Sequence, residues 1–329
     1  MLVLTADDVR KALPMQDVIQ AMKQAFAALS DGRAEVPLRA RLLIPPQDAT
    51  SLFMPAFVQT ESGDALAVKV VSLFPKNPDR ELALIQAAVL VLDADTGQAV
   101  ALLEGSSLTA IRTGAGGGAA VDLLARPDSH VVAVFGAGTQ GRTQLEAACS
   151  VRKIETAWVF DPNPERAKVF AEEMAGIGPI PRNLKAARSS GEALANADIV
   201  CTATTALTPV FADHQLKQGA HITAIGSYTP EMQEVPSETI KRARVIVDSR
   251  SAVLAESGDL LRPIQQGMIT EDHIYAELGE IILDHKPGRQ SDKEITYFKS
   301  VGVAVQDAMA ASLALENARQ MGLGQEVAF

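Results

Sequence analysis

The sequence predicts an α/β fold containing a Rossmann dinucleotide-binding domain, and three observations in one stretch predict it. Val131–Phe135 is an unbroken apolar run rich in β-branched residues, as in a buried parallel strand. The run breaks at Gly136-Ala137-Gly138-Thr139-Gln140-Gly141, and Arg142 onward reads as a helix. Gly136 permits the tight turn, Gly138 lets the backbone approach a pyrophosphate, and Gly141 allows close helix–strand packing. The phosphates then sit on the helix N-terminus, where free N–H groups and the dipole favour an anion. A second strand, Thr156–Phe160, ends in Asp161, at the roughly 20-residue spacing of a ribose-binding acid. Asp161 accepts hydrogen bonds from a free ribose 2′-hydroxyl and repels a 2′-phosphate, which favours NAD(H) over NADP(H). Arg166, one turn further on, pulls the other way. The plain alternative is an ordinary glycine turn.

Composition sets the outer bounds. A chain of 329 residues suits two domains with full-sized cores. Apolar residues make up 47% and charged residues 21%, far from the disordered regime. No apolar run reaches the ~18 residues of a membrane span. Asp7, Asp8, Arg10 and Lys11 give the start no signal-peptide layout. Cys149 and Cys201 read as buried free thiols of a cytoplasmic protein. A net charge of −10 without a basic stripe argues against nucleic acid, so an anionic substrate must be drawn in by locally placed cations.

Taken in order, Thr5 and Asp8 form a capping box, Pro14 starts an amphipathic helix, and Gly32 ends it. Apolar runs at 39–44, 51–58, 65–74, 83–92 and 99–103 read as an antiparallel meander, with a hairpin at Asp93-Ala94-Asp95-Thr96-Gly97. Ser106 or Ser107 then caps a helix over 108–124 that holds Gly114, Gly116, Gly117 and Gly118. Glycine in a helix interior costs about 1 kcal/mol relative to alanine, so another backbone or a cofactor must come close there, unless helix packing alone explains them. Beyond the Val131–Asp161 stretch, strands are expected at 199–203, 221–226 and 245–248. Thr202-Ala203-Thr204-Thr205 and Gly226-Ser227-Tyr228-Thr229-Pro230 fall at carboxyl ends of strands, where an open α/β sheet binds its ligand. A last helix, 306–321, is apolar on one face and returns to the N-terminal part.

Several stretches together resemble the ornithine cyclodeaminase/mu-crystallin family across nearly the whole chain. They are Val36-Pro37-Leu38-Arg39, Met54-Pro55-Ala56, Ala67-Val68-Lys69 and Leu108-Thr109-Ala110-Ile111-Arg112-Thr113-Gly114, followed by the glycine turn. Ile225-Gly226, Glu256-Ser257-Gly258-Asp259, Glu277-Leu278-Gly279-Glu280 and Ser300-Val301-Gly302 complete the set. The resemblance implies a Rossmann domain inserted into an α+β substrate-binding and dimerisation domain, here 119–302 within 1–118 and 303–329. It implies that Arg39, Lys69 and Arg112 hold a substrate α-carboxylate, a task that suits forked guanidinium donors with an ammonium. It also puts Arg112, Thr113, Gly136, Gly138, Thr139, Gln140, Asp161, Thr202, Gly226 and Ser300 at the cofactor.

Each cation read alone has a plainer role: Arg39 as an exposed strand charge, Lys69 as an edge-strand gatekeeper, Arg112 as a helix-face salt bridge. A lysine in the middle of Leu66-Ala67-Val68-Lys69-Val70-Val71 needs a partner, and an anionic ligand would supply it. Ornithine cyclodeaminases carry an aspartate where this chain has Tyr228 and a glutamate where it has Leu52. Without those carboxylates the site lacks an anchor for a second ammonium. The expected activity is therefore NAD(H)-dependent reduction of cyclic ketimine carboxylates, Δ1-pyrroline-2-carboxylate or Δ1-piperideine-2-carboxylate, to proline or pipecolate. Lys69 is the first choice of proton donor and Tyr228 the second. The alternatives are an alanine-type amino-acid dehydrogenase, an ornithine cyclodeaminase and a crystallin-like binding protein without turnover. The expected partners are a small imino or oxo acid and a second copy of the chain, with no membrane. The five histidines show no metal spacing.

Overall fold

The computed structural model describes residues 1–61 and 63–328. It divides into two compact units, Met1–Arg112 with Val303–Phe329, and Thr113–Gly302. The α/β class and the parallel Rossmann sheet expected from the sequence are both present.

In the first unit the strands are β1 (Leu2–Leu4), β2 (Ala34–Glu35), β3 (Ala40–Ile44), β4 (Ala49–Val58), β5 (Ala65–Leu73), β6 (Ile85–Leu92) and β7 (Ala99–Glu104). The meander β4–β5–β6–β7 is antiparallel, with β3 and β2 on β4. β1 lies parallel to β7 and pairs on its other side with a short strand, Gln325–Glu326. Three residues carry too little pattern to announce β1 in the sequence. Along β5, Ala65, Ala67, Lys69 and Val71 alternate onto the buried face, as a period of two requires. That sheet carries the C-terminal helix, Ala304–Met321, against β4, β5 and β6, and this helix also packs on helix Met15–Ser30.

The second unit has eight strands: β8 (Val131–Phe135), β9 (Thr156–Phe160), β10 (Leu184–Ala186), β11 (Ile199–Thr202), β12 (His221–Ala224), β13 (Arg244–Val247), β14 (Ile274–Glu277) and β15 (Thr296–Lys299). Their spatial order is β10-β9-β8-β11-β12-β15-β13-β14, and every pairing is parallel. The order reverses between β8 and β11, the switch point beside which a doubly wound sheet opens its binding crevice. Both faces are covered. Val132 and Val134 pack into one apolar cluster, Ala133 and Phe135 into another.

One local expectation needs correction. Neither Ser106 nor Ser107 caps the helix Gly105–Leu124. The Glu104 carboxylate accepts both of their backbone N–H groups, at 2.7 and 2.8 Å, because a charged acceptor at a helix N-terminus also satisfies the dipole. Of the glycines in that helix, Gly114 and Gly117 sit at a close helix–helix approach. A Cβ on Gly114 would lie 2.6 Å from the Thr143 side chain, and one on Gly117 would collide with Gln144, both on helix Thr139–Val151. Cys149 and Cys201 are buried free thiols, and burial pushes each up to about 12. No helix among the described residues is long and apolar enough to cross a membrane.

Candidate active site

The first unit gathers its charge around Lys69, at the middle of β5. Lys69 faces Met54 across β4 and Val89 across β6, so its own sheet offers it nothing polar. The partner is Asp307. Its Oδ2 lies 2.6 Å from Lys69 Nζ, and its Oδ1 lies 2.9 Å from Arg112 Nε. All three are at most 5% exposed. Arg112 also donates from Nη1 to Gln306 Oε1 at 2.9 Å, and that oxygen accepts the Val303 N–H at 3.0 Å. The partner that the sequence led one to seek in an anionic ligand is thus supplied in part by a side chain of the C-terminal helix.

The cluster nonetheless keeps capacity for an anion. Arg39, half-buried just before β3, adds a further positive charge that Lys69 feels. Arg112 carries five N–H donors and Lys69 three, and Asp307 and Gln306 engage only a fraction of them. Burial lowers the Lys69 ammonium from its usual range to about 8. The Arg112 and Arg39 charges push the same way, and Asp307 opposes them.

In the second unit the glycine turn has the geometry of a phosphate loop. Gly136 adopts a φ of +101°, and a Cβ there would lie 2.5 Å from the Ala203 carbonyl oxygen. A Cβ on Gly141 would collide with the Gly136 carbonyl oxygen. Gly138 differs: nothing but Arg166 Nη2, at 3.9 Å, comes near its Cβ position, leaving the backbone open to a ligand. Gly138 is also the N-cap of helix Thr139–Val151 and offers no side-chain cap, so the N–H groups of Thr139 and Gln140 head an uncapped first turn. Gln140 Oε1 and, at the end of β11, Thr202 Oγ1 are buried without a hydrogen-bond partner. These residues fit a dinucleotide. Asp161, at the end of β9, accepts the Ala137 N–H through Oδ2 and the Asn163 N–H through Oδ1, both at 3.0 Å, and Arg166 Nε stands 4.0 Å from Oδ2.

The other predicted residues lie in helix Gly105–Leu124 (Thr113) and in the segments following strands (Gly226, Tyr228 and Ser300). Thr113 uses its carbonyl to accept from Gln144 Nε2. Gly226 gives its N–H to Glu234 at 2.7 Å. Ser300 gives its hydroxyl to Asp248 at 2.7 Å. Tyr228 is 38% exposed.

Four acids to which the sequence assigned no role stand at these sites. Besides Asp307 they are Glu234, Asp248 and Asp259, all in the second unit. Glu234 accepts from Thr204 N–H and Oγ1 and from the N–H groups of Gly226 and Ser227, tying together the loops after β11 and β12. Burial raises it above the usual carboxylate range, against the pull of Lys299. Asp259 accepts the Glu234 and Val235 N–H groups and lies 3.4 Å from Lys299 Nζ. Asp248 holds Ser300, Val301 and Gly302. A signal existed for Asp248, which ends its strand as Asp161 does. For Asp307 it was the demand of Lys69 for a counter-charge.

Comparison with known proteins covers the chain end to end. The model of the ornithine cyclodeaminase/mu-crystallin family matches residues 1–322. A Δ1-pyrroline-2-carboxylate reductase of Bacillus cereus is 40% identical over 330 residues, with 100% of each chain covered. The structure of Thermococcus litoralis Δ1-pyrroline-2-carboxylate reductase in complex with NADH and L-proline superposes with a TM-score of 0.93 at 44% identity, covering 99% of this chain and 100% of that one. An archaeal alanine dehydrogenase dimer with bound NAD gives 0.91 at 31% identity, covering 100% and 99%.

Proposed function

The chain belongs to the ornithine cyclodeaminase/mu-crystallin family, and from that premise we propose that it is an NAD(H)-dependent reductase of cyclic ketimine carboxylates. Its substrate is Δ1-pyrroline-2-carboxylate, reduced to proline, with the six-membered homologue as a second substrate. The observation that carries this reading is the buried cluster of Lys69, Arg112 and Asp307 with Arg39 beside it, in a chain so similar over its whole length to Δ1-pyrroline-2-carboxylate reductases. The first unit is the substrate-binding domain and the second binds the dinucleotide.

Bound NADH supplies the hydride. The protein's own part is binding, orientation and the proton. Arg39, Lys69 and Arg112 clamp the carboxylate, and the planar fork of Arg112 fixes its angle, so that the imine carbon has one orientation toward the hydride. The C=N bond gains hydride at carbon and a proton at nitrogen. Lys69, lowered to about 8, is charged at neutral pH and acidic enough to give that proton, and it regains one from solvent. Tyr228 is the second candidate. Gly136, Gly138, Thr139, Gln140, Asp161, Thr202 and Gly226 hold the dinucleotide. Thr113 and Ser300 border it, Ser300 with its hydroxyl already given to Asp248. Tyr228 and Leu52, where cyclodeaminases resembled by this chain have carboxylates, support reduction over ornithine cyclisation.

The protein acts as a homodimer in the cytoplasm. Support for the pair comes from the apolar side chains Leu38, Leu42, Leu43 and Phe53, exposed together around β3 and β4, and from the dimeric state of the archaeal alanine dehydrogenase. Support for the compartment comes from two free cysteines. The test follows NADH oxidation with Δ1-pyrroline-2-carboxylate, with pyruvate plus ammonia, and without substrate. Turnover confined to the ketimine is the expected result. Faster oxidation with pyruvate and ammonia would replace the reading with an amino-acid dehydrogenase.

A further inference from the structure

We infer that Asp307 is a positioning residue for this reduction, its carboxylate holding the Lys69 ammonium and the Arg112 guanidinium side by side and keeping on Lys69 the proton the imine nitrogen receives. The inference deepens the reductase reading and rests on it. One carboxylate oxygen faces each cation, at 2.6 and 2.9 Å, and all three groups are buried. Around Lys69, β4 and β6 present Met54 and Val89, the C-terminal helix presents Asp307, helix Gly105–Leu124 presents Arg112, and the segment before β3 presents Arg39.

Lys69 and Arg112, buried side by side with the Arg39 charge close by, must shed charge unless an anion joins them. Guanidinium groups do not release a proton, so the loss would fall on Lys69. Asp307 prevents it. Burial, Arg112 and Arg39 push Lys69 down, Asp307 alone pushes it up, and the balance at about 8 leaves a charged donor at neutral pH. Gln306, the neighbour of Asp307 in the first turn of the same helix, holds the far side of Arg112. One helix end therefore orients both cations while the cluster stays positive enough to attract a carboxylate.

The test compares the unmodified protein with Asp307→Asn and Asp307→Glu across pH in two readouts. One is kcat/KM for Δ1-pyrroline-2-carboxylate at saturating NADH. The other is calorimetric affinity for pyrrole-2-carboxylate, a planar carboxylate that the enzyme cannot reduce. Ratios to the unmodified protein cancel the titration of the ligand itself. In Asp307→Asn the alkaline limb of both profiles should move down by roughly one to three pH units. The deficit should be about five- to five-hundredfold near pH 8 and shrink toward pH 6. Asp307→Glu keeps the charge and should restore the limb.

A loss that is the same at every pH, or no loss, overturns the inference, because a merely structural role does not move a limb. A shifted binding profile in a protein that reduces no ketimine supports the Asp307 role and overturns the reductase reading. No binding of pyrrole-2-carboxylate by the unmodified protein overturns both. Should Asp307→Asn fail to fold, Lys69→Arg substitutes a permanent cation, and an alkaline limb that survives it overturns the inference.

Discussion

Replacing Arg112 with lysine separates charge from shape. Arg112 engages Asp307 through Nε and Gln306 through Nη1, each at 2.9 Å, and is 5% exposed. The ion pair with Asp307 and the hydrogen bond to Gln306 orient the guanidinium, and its remaining N–H groups are the ones offered to a carboxylate. A lysine ammonium is one point with three donors and cannot bridge both partners while presenting a parallel pair. At least one charge-assisted hydrogen bond should go, worth about 1.5–3 kcal/mol where water is excluded. That corresponds to roughly ten- to a hundredfold in kcat/KM for the ketimine. Arg112→Ala should cost more, since the carboxylate then meets two cations instead of three. Lys69 and Asp307 still balance each other in that variant, so the chain should fold, with a Tm lower by about 2–4 °C per kcal/mol of lost contact. The assay is steady-state kinetics with both variants, beside thermal melting without ligand. An Arg112→Lys enzyme as active as the unmodified one, or an Arg112→Ala protein that does not fold, would make Arg112 a structural salt-bridge residue and refute the carboxylate site.

Asp161 should make NADH at least about tenfold better than NADPH in catalytic efficiency, and Asp161→Ser should narrow the ratio by freeing Arg166, now 4.0 Å away, for a 2′-phosphate. Equal use of both cofactors by the unmodified protein speaks against that assignment. Incubation with L-ornithine and catalytic NAD should release no ammonia above background, because Tyr228 and Leu52 offer no carboxylate, and steady proline formation would show that another group does that work. Glu234→Ala removes the acceptor of three backbone N–H groups and one hydroxyl across two strand-end loops, so NADH affinity and Tm should fall together. A variant with unchanged NADH affinity would confine Glu234 to a purely structural role.

What the sequence determined by itself was local. The run Val131–Phe135, the three glycines and Asp161 lie within one βαβ unit, where strand period, turn chemistry and helix start are dictated by neighbours in the chain, and the unit forms as they require. The same holds for the capping box of Thr5 with Asp8 and for the β4–β7 meander. Lys69 was visible as an anomaly, a charge in an apolar strand, but its answer was not. Asp307 lies 238 positions further along the chain and reaches Lys69 only because the C-terminal helix returns to the first unit's sheet and packs on β5. Glu234 and Asp259 were hidden in the same way. Their backbone partners belong to other loops, and no periodicity records which loop a carboxylate will close. Burial converts those acids from surface charges into fixtures of the site, and burial is decided by tertiary packing, where the desolvation of each charge must be met by partners that the chain brings from far away.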